Sequence, residues 1–220
     1  MRVRVGVANH LFRNQDYHLR VGVKFHKQCS ERGYFRNDST LLEIGCGVGR
    51  MIWPLRGPHF RGRYIGIDID EEMIQWCRAH FDERFEFHLS SHVSRTYQGV
   101  GGSALYRLPV ADNSVDFLFS GSLFTHLLEK ELLNYIQESA RVLKEGSVTS
   151  MTYFCRDSVQ MGDRWTFAHR IGNALVENVR YPEAAVAYEA TWLEAAYRNA
   201  GFAQATTERT SGQSALIAIR

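Results

Sequence analysis

The feature that constrains this chain most is the decapeptide Leu41–Arg50, which reads Leu-Leu-Glu-Ile-Gly-Cys-Gly-Val-Gly-Arg. Leu41, Leu42 and Ile44 form a short apolar run of the kind that makes a buried strand. Gly45, Gly47 and Gly49 then fall at every second position. Glycine loses too much conformational entropy for such a run to be a strand or helix interior. It fits a tight turn at which the backbone comes close to a ligand. Arg50 to Leu55 then read as the start of a helix. A strand, a glycine turn and a helix N-terminus together make a nucleotide-binding corner; the plainer reading is an ordinary glycine turn in another α/β domain.

The spacing discriminates among nucleotides. The dinucleotide fingerprint is Gly-x-Gly-x-x-Gly, and the phosphate loop ends in Gly-Lys-Ser/Thr. Here the pattern is Gly-x-Gly-x-Gly, with no lysine after it. Glu43 stands two places before the first glycine, where a carboxylate repels a pyrophosphate and favours a ligand with a cation nearby, such as an α-amino group or a sulfonium. That chemistry points to S-adenosylmethionine (SAM). Downstream, Tyr64-Ile-Gly-Ile-Asp-Ile-Asp reads as a second strand ending at Asp68, which lies 19 residues after Gly49. This is the spacing at which an acidic residue reaches a ribose diol. The alternative for Asp68, a helix cap, suits Asp70 better.

The rest of the chain alternates helix and strand patterns. Tyr17 to Arg32 reads as a helix stopped by Gly33. Met73, Ile74, Cys77 and Phe81 mark the apolar face of a helix over 71–81. Arg84 to Leu89 and Val115 to Phe119 read as strands three and four. Ser120, Gly121, Ser122, Thr125 and His126 therefore fall beyond the carboxyl end of strand four, the edge at which open α/β sheets bind ligands. A helix with Leu132, Leu133, Ile136, Ala140 and Leu143 on one face follows, and then strand five over Ser147 to Phe154. Residues 155–190 have weak periodicity and many aromatic residues, and are expected to form a lid or insertion. Trp192 to Gly201 reads as a last helix, and Phe202–Glu208 with Ser214–Ile219 as a closing hairpin around Ser211-Gly212.

The order of these motifs is similar to that of the class I SAM-dependent methyltransferases, of the small-molecule methyltransferase-domain type. The segments that carry the resemblance are 41–50, 64–68, Leu108-Pro-Val-Ala-Asp-Asn-Ser-Val-Asp and Arg141-Val-Leu-Lys-Glu-Gly. The resemblance implies an α/β fold: a Rossmann-like, seven-stranded, mostly parallel sheet with helices on both faces and the last strand antiparallel. It implies one domain over 1–220, with residues 1–36 as an N-terminal helical cap. It places Gly45, Cys46 and Gly47 along the methionine part of SAM, with Glu43 acting on its amino group. Block by block, it also assigns Arg50 to the cofactor site, Asp68 to the ribose, Ile69 and Met73 to the adenine flanks, and Ser120 to the amino group. The family has an acidic residue after strand three that accepts from adenine. Here that place falls on Ser90-Ser91, with Ser91 the candidate contact, or on Ser103-Ala104 if the loop is an insertion.

His126 is the candidate general base. It sits on the ligand edge, and an imidazole titrates near neutral pH; the plainer reading is that it caps or packs the next helix. A net charge of +2 gives no electrostatic footprint for nucleic acid. No 18-residue apolar run is present, so no membrane span is expected. Cys29, Cys46, Cys77 and Cys155 lie far apart without Cys-x-x-Cys spacing, which fits a reducing cytoplasm and argues against a zinc site. The absence of Asn/Asp-Pro-Pro-Tyr/Phe after strand four argues against methylation of exocyclic base nitrogens. The expected activity is methylation of a small organic acceptor, with a hydroxyl favoured. The rival readings are a non-catalytic SAM-fold module and a SAM-binding enzyme of non-methyl chemistry. A homodimer is left open by these features.

Overall fold

A computed structural model describes residues 15–91, 105–158, 165–210 and 212–220, with side chains from Arg20 onward. The chain begins with α1 (Gln15–Glu31) and then enters β1 (Thr40–Ile44). It continues through β2 (Arg63–Asp68), α2 (Glu71–His80), β3 (Phe85–Leu89), β4 (Val115–Ser120), α3 (Glu129–Val142) and β5 (Leu143–Cys155). Three short strands follow, β6 (His169–Ile171), β7 (Ala174–Val176) and β8 (Val186–Tyr188). The chain closes with α4 (Ala190–Asn199), β9 (Gln204–Glu208) and β10 (Ser214–Ile219).

The strands pair in the order β3-β2-β1-β4-β5, parallel throughout, and the sheet continues through β10 to β9. β10 runs antiparallel to both β5 and β9. These seven strands are the expected wound sheet with its antiparallel last strand. β6, β7 and β8 add to it: β8 pairs parallel with Phe154 and Cys155 at the end of β5, and β7 and β6 build outward from β8. Ala174, Val176 and Val186 to Tyr188 are buried, so the weakly periodic region after β5 contributes three short strands to the sheet.

The period-two alternation of the strands divides the core. Leu42, Ile44, Ile65, Ile67, Leu118, Met151 and Tyr153 pack beneath α3 and α4. Leu41, Tyr64, Phe85, Phe87, Phe117 and Phe119 pack on the opposite face, with Cys29 of α1 and Ile74 and Cys77 of α2. Helices therefore cover both faces. Phe25 of α1 lies 4.9 Å, ring to ring, from Phe119, and Phe35 lies 5.7 Å from Phe117. Asp70 caps α2 by accepting from the Met73 N–H at 3.1 Å, the role its spacing predicts.

One local expectation is corrected. Arg50 to Leu55 do not start an α-helix; residues 49–52 form turns that lead into a four-residue 3₁₀ helix, Trp53–Arg56. Pro54 removes a backbone donor just inside that helix, and Gly57-Pro58 ends it. α1 occupies the space instead. A Cβ on its Gly22 would stand 2.6 Å from the Arg50 carbonyl, so this glycine lets the helix lie directly on the turn. His26 of α1 then bonds the Met51 carbonyl through Nε2 at 2.5 Å.

Candidate functional site

The site is built at the carboxyl ends of β1, β2 and β4. All three corner glycines adopt left-handed backbone conformations: φ is +78° at Gly45, +53° at Gly47 and +72° at Gly49. Side chains rarely tolerate this region. The bend is tied to β2 by the Gly45 and Cys46 N–H groups, which donate to the Ile67 carbonyl at 2.7 and 3.1 Å. The Gly49 N–H closes it onto the Cys46 carbonyl at 2.9 Å. Beneath it, the Cys46 and Cys77 thiols lie 3.7 and 3.4 Å from the Gly47 carbonyl. Burial pushes both thiols up, so they remain protonated donors. A Cβ at Gly49 would stand 2.8 Å from Phe81 Cζ.

Asp68 ends β2 and faces the bend. Its Oδ2 accepts from the Gly47 N–H at 2.8 Å, and its Oδ1 from the Asp70 N–H at 3.0 Å. Burial raises its carboxyl, and these N–H donors pull it back down. Each carboxylate oxygen has two acceptor positions, so the carboxylate keeps acceptor capacity beyond its backbone N–H donors. A ribose hydroxyl is such a donor.

Glu43 lies under the corner. It is buried and accepts from the Tyr64 hydroxyl at 2.7 Å. Burial pushes its carboxyl up to about 8, against the pull of the Tyr64 hydrogen bond and the Arg50 charge. Burial therefore favours the protonated carboxyl near neutral pH, with Tyr64 and Arg50 favouring the ionised one. Tyr64 was not singled out in the sequence. Glu43 pairs with Gly66 across β1 and β2, and Gly66 carries no side chain. A Cβ there would meet the Tyr64 ring and hydroxyl at 2.9 Å and Cys46 Sγ at 3.0 Å. Gly66 thus leaves the space through which Tyr64 reaches Glu43. The Tyr-x-Gly spacing was the available signal, but the register that makes it meaningful is a tertiary fact.

The remaining residues fall around this centre. Arg50 is half-buried and brings Nη2 to 3.5 Å from the position of a Gly121 Cβ. Met73 is buried, with Sδ 3.8 Å from where a Gly47 Cβ would lie; Ile69, next to Asp68 in the chain, is half-buried. Ser120 is buried at the end of β4, and its hydroxyl has no hydrogen-bond partner among the described residues. After β3 the structure separates the two serines. Ser90 is buried and donates its N–H to the Asp68 carbonyl at 2.7 Å, whereas Ser91 is exposed. Ser103 and Ala104 lie outside the described residues.

His126 ends the 3₁₀ turn Leu123–His126. Leu123 Cβ lies 3.4 Å from where a Gly45 Cβ would be, so this turn packs directly on the first corner glycine. His126 Nδ1 bonds the Glu183 carbonyl at 2.9 Å. A carbonyl only accepts, so Nδ1 carries the proton and the ring's lone pair is on Nε2. Burial lowers the His126 pKa, with the Glu183 carbonyl opposing it; the ring is neutral at pH 7. Tyr188 donates to the Leu127 carbonyl at 2.9 Å, and Glu129 accepts from the Asn173 N–H and amide at 2.8 and 3.0 Å. The segment after β5 therefore grips the whole 126–129 stretch.

The arrangement fits an adenosyl sulfonium. The three left-handed glycines make a bend without Cβ atoms, Asp68 offers acceptor capacity, and the Ser120 hydroxyl has no partner among the described residues. Comparison with known proteins agrees. Residues 42–151, half of the chain, match the family model described as "Methyltransferase domain". A protein of Aspergillus luteorubrus named as a probable methyltransferase is 26% identical over 134 residues, which cover 58% of this chain. The match spans only 42% of that relative's length. Among solved structures, a Pyrococcus horikoshii protein superposes with a TM-score of 0.64 at 19% identity, covering 94% of this chain and 92% of its own. A SAM-dependent methyltransferase from Aquifex aeolicus gives 0.52 at 20% identity, with 88% of each chain covered. Among the described residues no helix is long and apolar enough to cross a membrane. The chain belongs to the methyltransferase-domain family of class I fold, and its cofactor is S-adenosylmethionine.

Proposed function

We propose that this chain methylates a hydroxyl of a small organic acceptor, with His126 as the general base. The observation that supports this is the packing of Leu123 against Gly45, in the same 3₁₀ turn that ends at His126. Bound SAM supplies an electrophilic methyl group on a sulfonium. The chain's own residues do the rest. Gly45 to Gly49 shape the cradle, and Asp68 accepts from the ribose hydroxyls. Glu43 and the Ser120 region receive the amino group, and Arg50, charged and close to Glu43, suits the carboxylate. Ile69 and Met73 flank the adenine. Of the Ser90-Ser91 pair expected at the place of the family's adenine-binding acid, Ser90 has its backbone tied to Asp68 and is the reading we favour for the adenine contact. His126 takes the hydroxyl proton on Nε2 as the oxygen attacks, because Nδ1 is committed to Glu183. Holding acceptor, methyl and sulfur in line removes much of the entropic barrier, and a positioned base contributes roughly 10²–10⁴-fold.

The low net charge and the aromatic residues after β5 support a small acceptor over a nucleic acid. The test uses methyl-labelled SAM with panels of hydroxyl-, amine- and thiol-bearing compounds. Label is expected in the hydroxyl compounds. His126→Gln is expected to cut turnover by roughly 10²-fold or more and leave SAM affinity unchanged. Label entering only amines, or full activity in His126→Gln, overturns the reading.

A further inference from the structure

Past the cofactor corner, the end of β5 gathers a polar device and an aromatic wall. β5 and β10 pair with Tyr153 opposite Ser214 and Thr152 opposite Ala215. Gln213 lies in the bend just before β10, and Thr152 and Phe154, two apart in β5, share a face. This is the α1 face, since Met151, Tyr153 and Cys155 turn to the other side.

Hydrogen bonds join Gln213 to this face. Gln213 Oε1 accepts from both the Ser122 and the Thr152 hydroxyls at 2.9 Å. The Ser122 N–H in turn donates to Thr152 Oγ1 at 2.7 Å. In this arrangement both hydroxyls donate to the one oxygen of the Gln213 amide. Its NH₂ then points away from them, and it donates to no described residue. Ser122 supports this from a left-handed backbone, φ +73°. Strain at a non-glycine residue is retained where the surroundings impose it, and such positions cluster at functional sites. Ser122 lies two residues beyond Ser120, on the ligand edge.

The wall starts at Phe154, two residues along β5 from Thr152. Phe154, Trp165 and Phe167 have ring centroids 5.3 to 6.3 Å apart. Phe167 is also left-handed, φ +47°, and is buried behind the other two. Glu177 holds it there, accepting from the Thr166 and Phe167 N–H groups at 2.7 and 2.8 Å. Phe154 and Trp165 are partly buried. Two strained non-glycine residues thus serve two neighbouring features, one polar and one aromatic.

We propose that this is the acceptor subsite, and that it takes a flat aromatic hydroxy compound bearing a carbonyl oxygen. The ring lies against Phe154 and Trp165, and the carbonyl receives the Gln213 amide N–H. Neutral amide donors suit a neutral oxygen, and an aromatic wall rewards a planar ring over a saturated one. The inference rests on the methyl-transfer reading, because it takes the β4–β5 edge as the acceptor side.

The experiment is a titration of the protein loaded with S-adenosylhomocysteine. The probes are 4-hydroxyacetophenone, its saturated counterpart 4-acetylcyclohexanol, and phenol. The aromatic ketone is expected to bind about tenfold more tightly than the saturated one. Phe154→Leu and Trp165→Leu are expected to erase that preference. Gln213→Glu keeps an oxygen for Ser122 and Thr152 but replaces the NH₂; it is expected to weaken the ketone about tenfold and leave phenol unchanged. S-adenosylhomocysteine affinity, read in parallel, is expected to be the same in every variant. Equal binding of the two ketones by the unaltered protein overturns the subsite and needs no variant. Ketone affinity unmoved by Gln213→Glu overturns the role of Gln213. Failure of the unaltered protein to bind S-adenosylhomocysteine removes the methyl-transfer reading itself, and the subsite with it.

Discussion

Glu43→Gln is the substitution whose consequence the structure fixes most closely. The Glu43 carboxyl rises from 4.5 to about 8 because it is buried beneath the glycine bend. A carboxyl whose pKa is higher in the folded protein than in the unfolded chain binds more protons when folded. Its stabilising contribution is complete below pH 4.5 and is lost as pH rises through 8. At about 1.36 kcal/mol per unit, the loss across that window is about 5 kcal/mol. In Glu43→Gln the amide oxygen still accepts from Tyr64, but nothing titrates. The assay is urea unfolding of the ligand-free protein from pH 5 to pH 9, in both forms. Near pH 5 the two are expected to have similar stability. By pH 9 the Gln form is expected to be more stable by several kcal/mol. The same linkage has a second consequence. The amino group of SAM favours the ionised carboxyl, so SAM binding at pH 7 is expected to release a proton, seen as a binding enthalpy that changes with buffer ionisation heat. Parallel pH–stability curves for the two proteins would refute the reasoning.

Other predictions follow from single residues. Gly49→Ala forces a side chain into φ +72° and against Phe81; a loss of roughly 1–3 kcal/mol is expected in thermal or urea unfolding, partly recovered by adding Phe81→Leu. His26 is held neutral, its pKa lowered to about 4 by burial. A His lowered on folding gives stability that is present above pH 6.5 and lost as pH falls toward 4, so His26→Gln is expected to flatten the acid limb of unfolding between those values. The His126 tautomer is expected to carry its proton on Nδ1, which long-range ¹⁵N–¹H spectra read directly; a proton on Nε2 would break the base assignment.

Much of the fold was legible because its signals are local. Alternating strands, the Asp70 cap and the closing hairpin each follow from residue spacing alone. The glycine bend was legible too, since only glycine suits three left-handed positions in five residues. What escaped depends on partners far apart in sequence. Pro54 and the close approach of Gly22 replaced the expected helix after Gly49 with a short 3₁₀ turn. The Tyr64–Glu43 bond needs the β1–β2 register and the space left at Gly66. The Gln213 amide meets Ser122 and Thr152 across 91 and 61 residues. The strands β6 to β8 are three residues each, too short for a periodic pattern to declare itself.

The central claim is that the bend from Gly45 to Gly49, with Asp68 opposite, cradles an adenosyl sulfonium. Calorimetric titration of SAM into the protein and into its Asp68→Ala variant measures this directly. One SAM per chain is expected, with affinity falling roughly 100-fold in the variant as charge-assisted bonds to the ribose are lost. No binding to the unaltered protein, or equal binding to both, would contradict the account.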